Sequence, residues 1–166
     1  STGEKIAWAF DEQGKRNIYV AEGPDFKARK LTNFTKDDGQ ELTNLAFTED
    51  GQNVVFVRGG EHGSNWDIDL PVNPGGEAKP FTVKIASVPY EEGDLKYISE
   101  GDHFVLSPDS KKIAFIKKGQ AWIANVDSVN SAKNLFTTRG IVSSLAWSPD
   151  GQSLLFVSER GDHSII

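Results

Sequence analysis

The 166 residues contain no cysteine and no methionine, and only three histidines. Without cysteine there is no disulfide, no thiolate zinc site and no cysteine nucleophile, an absence that fits any compartment and selects none. The histidines His62, His103 and His163 have no His partner at metal-ligand spacing. His62 stands near Asp67 and Asp69, a set able to hold a hard cation only with much help from water, and a polar loop is the simpler reading. Nothing in the sequence asks for a metal or another cofactor. No apolar run approaches the roughly 20 residues of a membrane span, and no signal peptide is visible. Because methionine is missing altogether, Ser1 does not look like a translation start, and the chain reads as a processed or excised piece. Basic character is also scarce. A formal charge of −6 and a pI near 5.1 speak against a nucleic-acid backbone or an anionic membrane surface as partner.

What is present is a repeat. Trp147-Ser148-Pro149-Asp150-Gly151 closes one apolar stretch, and residues 153–158 begin another at once. Proline has the φ that a tight turn needs at its second position, and glycine accepts φ > 0, so the two stretches are antiparallel neighbours. The same unit recurs at Phe47-Thr48-Glu49-Asp50-Gly51 and at Leu106-Ser107-Pro108-Asp109-Ser110, and its back half follows Gly3. The turn positions Gly3, Gly51, Ser110 and Gly151 are 48, 59 and 41 residues apart. A four-stranded propeller blade takes roughly 40–45 residues. The last spacing is a bare blade, and the first two carry insertions, the second of them over residues 59–80.

No segment shows a 3.6-residue apolar period behind a cap, so the chain reads as all-β. The expectation is a partial β-propeller: about three four-stranded antiparallel blades plus the start of another. A propeller closes with about 4–8 blades. Open edges should therefore remain at both ends, to be covered by another chain, by a further segment or by a second copy. Trp8, Phe56, Phe115 and Phe156 fall at equivalent places in the second strand of each blade and should pack between blades.

The repeat around Ser148–Asp150 resembles that of propellers in the prolyl oligopeptidase family, and the same repeat occurs in a Tol-associated periplasmic propeller protein. Two stretches, residues 56–66 and 158–164, are similar to loops of bacterial serine peptidases of the prolyl oligopeptidase and dipeptidyl peptidase IV type. The resemblance implies an amino-terminal propeller that gates and positions short peptides for a separate α/β-hydrolase domain, in a periplasmic or secreted protein. That hydrolase domain and its G-x-S-x-G elbow are absent from these residues, so no catalytic residue is expected here. The paired Glu91 and Glu92 sit in a turn before an outer strand, where Glu-Gly is ordinary turn chemistry. A propeller that binds a protein partner in a bacterial envelope is the alternative.

Hairpin loops at equivalent strand positions emerge on one face of such a disc. Residues 58–66 and 159–163 should therefore project together, and each offers an Arg, a Glu and a His. The candidate substrate or domain-interface residues are Arg58, Glu61, His62, Trp66, Glu159, Arg160 and His163, suited to the charged ends and carbonyls of a peptide.

Overall fold

A computed structural model describes residues 4–59, 82–161 and 163–165. Four antiparallel sheets follow one another along the chain. The first holds β1 (Lys5–Glu12), β2 (Lys15–Glu22) and β3 (Arg29–Lys30). The second holds β4 (Leu42–Phe47), β5 (Asn53–Arg58), β6 (Lys84–Pro89) and β7 (Lys96–Glu100). The third holds β8 (Asp102–Leu106), β9 (Lys112–Lys117), β10 (Gln120–Asn125) and β11 (Lys133–Asn134). The fourth holds β12 (Ile141–Trp147), β13 (Leu154–Arg160) and β14 (His163–Ile165). Each sheet is a simple meander. The described residues contain no helix, so the all-β reading holds. Among the described residues the second and third sheets have the four strands of a blade, the first has no inner strand and the fourth no outer one. The turn expected at Gly3 lies outside the described residues.

The middle blades are buried on both faces, which explains their unbroken apolar strands. Along β5, Val54 and Phe56 turn towards the first blade and pack with Ile18, Val20 and Val88. Val55 and Val57 turn the other way and pack with Ile85, Ile113 and Phe115. Phe56 and Phe115 are wholly buried. Trp8 and Phe156, at the same places in the end blades, are only half-buried; Trp8 stacks on Tyr19 and Phe156 lies 4.3 Å from Phe136. The end blades also expose Ile6 and Phe10 on β1, and Ile141 and Leu155 on the fourth sheet.

The turns that define the repeat are held by a clasp. In each, the hydroxyl of the first residue donates to the carboxylate of the third: Thr48 to Asp50 at 2.6 Å, Ser107 to Asp109 at 2.7 Å and Ser148 to Asp150 at 2.5 Å. The same hydroxyl accepts the N–H of the residue five positions on, at the start of the next strand or just before it (Asn53, Lys112 and Ser153), at 2.9–3.0 Å. The carboxylate accepts a second N–H, from Gln52, Lys111 or Gln152. Gly51 and Gly151 have φ of 67° and Ser110 has 53°. Serine replaces glycine at 110 with a reason: its Oγ accepts the Glu49 N–H at 2.8 Å and ties the turn of one blade to that of its neighbour.

The clasp should make the fold acid-sensitive. The hydroxyl first, and the backbone N–H after it, hold Asp50, Asp109 and Asp150 below the ordinary aspartate value of 3.8. A depressed folded-state pKa contributes stability that is complete above the unfolded value and is lost as pH falls through the folded one. The urea midpoint should therefore drop between about pH 5 and pH 2. A variant with all three turn aspartates replaced by alanine should be less stable at neutral pH and show a flatter profile; an unchanged slope would show that other carboxylates govern it.

Candidate functional site

The antiparallel alternation puts the clasped turns on one face of the disc and the hairpins β1–β2, β9–β10 and β13–β14 on the other. On that second face Arg58 ends β5 and Arg160 ends β13, the corresponding strand two blades on. Their surroundings differ. The Arg58 guanidinium pairs with the Asp38 carboxylate and lies 4.5 Å from the ring of Phe34. Both charged side chains are largely covered, at 13% and 16% exposure. Asp38 and Phe34 belong to the 31–41 crossing between the first two blades. A buried network anchors that crossing: Asn17 Oδ1 accepts the Phe34 N–H at 2.7 Å and the Thr32 hydroxyl at 3.0 Å, and its amide donates to the Phe34 carbonyl. Arg58 thus joins two blades.

Glu159 and Arg160 are exposed, and Glu159 accepts the Ser143 hydroxyl at 2.9 Å. Residues 159–163 do not form the loop expected of them. β13 runs to Arg160, β14 begins at His163, and the two strands pair Arg160 with His163. Gly161, at φ 69°, closes the short hairpin. Glu61, His62 and Trp66 lie outside the described residues, as does most of the 59–80 insertion. Among the described residues no cluster of three or more His, Asp or Glu is arranged to hold a metal.

No family model and no curated protein matches the sequence. Solved structures do match. TolB from Acinetobacter baumannii superposes with a TM-score of 0.61 at 20% identity, over 98% of this chain and 37% of that one. The tricorn protease gives 0.65 at 14% identity, over 93% of this chain and 14% of that one. The acylaminoacyl peptidase of Pyrococcus horikoshii gives 0.54 at 23% identity, over 75% and 18%. This chain is a β-propeller module. It spans well under half the length of these three proteins, and the likeness is one of fold.

The turn face of the propeller carries a feature that the sequence alone did not reveal. An open cavity of about 560 Å³ lies between the first two blades, lined by Glu22, Pro24, Lys27, Arg29, Tyr90 and Glu91. Two cations stand over the Tyr90 ring, Lys5 Nζ at 4.0 Å and the Arg29 guanidinium at 5.0 Å from its centre. Arg29 donates to the carbonyls of Tyr90 and Glu91, and the Tyr90 hydroxyl to Glu22 at 3.2 Å. Burial, then the Glu22 contact, push the Tyr90 phenol above its ordinary value. These groups satisfy one another and fasten blade to blade. Glu91 takes part through its backbone, which turn chemistry at Glu91-Glu92-Gly93 does not foretell.

Proposed function

We propose that the chain is the non-catalytic propeller portion of a serine peptidase of the prolyl oligopeptidase or dipeptidyl peptidase IV type. In that role it gates and positions short peptides for a separate α/β-hydrolase domain. The observation that carries the reading is the propeller fold shared with two peptidases, the tricorn protease and the acylaminoacyl peptidase. The loop resemblance at residues 56–66 and 158–164 supports it. A second reading is a protein-binding module, a propeller without a hydrolase domain; the fold is shared with TolB over 98% of this chain.

Two results test the first reading. The 166-residue chain should leave dipeptidyl chromogenic substrates at the buffer rate, since a nucleophile–base pair is expected only on the hydrolase domain. The intact protein from its source should cleave them and react with a fluorophosphonate at a serine outside these residues. In the intact protein Arg160→Ala should lower kcat/KM about tenfold if the exposed guanidinium meets bound peptide. An intact protein that ignores the probe and captures a protein partner would establish the second reading instead.

A further inference from the structure

Three residues of the inner strands share a conformation that packing does not require. Asn44, His103 and Ser144 stand seven positions before the turn residues Gly51, Ser110 and Gly151. All three have positive φ, at 55°, 47° and 53°. Each lies where the pairing of the inner strand with its neighbour slips in register, between 43 and 46, 102 and 105, and 143 and 145. All three are exposed. Glycine suits such a backbone best, and the chain uses it freely in its turns. Here three different polar side chains stand instead. Bulges of this kind re-aim side chains, and they are over-represented beside functional sites.

The bulges form a row. β4, β8 and β12 are successive inner strands in contact. The Asn44 amide donates to the Phe104 carbonyl at 3.2 Å, which brings the first bulge against the second. The Asp102 carboxylate lies 3.0 Å from His103 Nδ1 and orients the ring, which leaves Nε2 as its outward nitrogen.

We propose that this row is a binding site for an extended peptide, engaged through its main-chain N–H and C=O groups. Amide, imidazole and hydroxyl side chains each offer both a donor and an acceptor, the mixture that an unpaired peptide backbone presents in return. Carboxylates (Asp102 and Glu159) and cations (Arg58, opposite Leu42, and Lys117, next to the Asp102 partner Ile116) both stand on the strands around the row, so recognition there falls to main-chain hydrogen bonds and not to peptide charge. Carbohydrate recognition usually rests on an exposed aromatic platform. The inner-strand rings Phe47, Phe104 and Trp147 are buried or half-buried. The inference rests on neither reading of the whole protein, because it needs no hydrolase domain.

The test is a titration of the isotopically labelled 166-residue chain with a pool of hexapeptides bearing free amino termini. Backbone amide signals of residues 43–44, 102–103 and 143–144 should shift together. In the double variant His103→Gly/Ser144→Gly the thermal midpoint should hold or rise, since glycine relieves the positive φ. Its affinity should fall at least about tenfold as the hydrogen bonds are lost. Should that variant lose its fold, His103→Ala alone makes the same comparison. Absence of shifts with the pool, undiminished affinity in the variant, or shifts produced by a β-glucan oligosaccharide instead of peptides would each overturn the proposal.

Discussion

Phe115→Ala should cost about 3–5 kcal/mol of stability, the range for truncating a fully buried aromatic ring. The ring is wholly covered at the contact between the second and third blades, among Val55, Val57, Ile85 and Ile113. Strands on both sides hold the site open, so the cavity has little scope to collapse. Phe56→Ala, at the equivalent position one blade earlier, should cost a similar amount. Trp8→Ala and Phe156→Ala should cost distinctly less, because those rings are already half-exposed in end blades with one packed face. A loss of this size is a large share of the 5–15 kcal/mol typical of a domain. In a repeat architecture it should appear as an earlier urea transition centred on the middle blades. Equal costs at Phe115 and Phe156 would contradict the burial gradient and show that the fourth blade is covered in solution by something else.

The architecture was legible because the features that set it are local. A hydroxyl residue, an Asp two positions on and a turn residue next, followed by an apolar strand, recur at 48–51, 107–110 and 148–151 within a few residues of sequence. The strands followed from that spacing, with β4 starting and ending where the apolar pattern does. What stayed hidden depends on residues far apart. Asp38 sits in a polar crossing, and nothing nearby marks it as the partner of Arg58, 20 residues on. Asn17 reads as a strand-opening polar residue, yet it is fully buried and carries the hydrogen bonds of Thr32 and Phe34. The inner-strand bulges share a backbone conformation but no residue type, so Asn44, His103 and Ser144 align only once the turns have been matched. Residues 159–163 misled because a polar run without apolar alternation reads as a loop, although the backbone pairs Glu159 with Ser164 and Arg160 with His163.

Arg58→Ala should destabilise the module by about 2–4 kcal/mol, in the range for removing one partner of a largely covered ion pair. The sequence offers Arg58 as a peptide-binding residue at the end of a loop. The structure gives its guanidinium a carboxylate from the 31–41 crossing and the face of Phe34, so the side chain spans two blades. Truncation leaves the Asp38 carboxylate, 16% exposed, without that partner and strips a cation from the ring. Asp38→Asn should recover part of the loss in the Arg58→Ala background, since a neutral amide at that depth costs less than an unpaired charge. A double-mutant cycle on the pair should show coupling of about 1 kcal/mol or more. The measurement also separates this structural work from contact with substrate. If Arg58 acts by joining the blades, the intact protein should lose stability in step with kcat/KM, and Asp38→Asn should restore both together. A fall in kcat/KM of about tenfold at unchanged stability would instead make Arg58 a direct contact to peptide and place the inter-blade join on the Asn17 network and the cations over Tyr90.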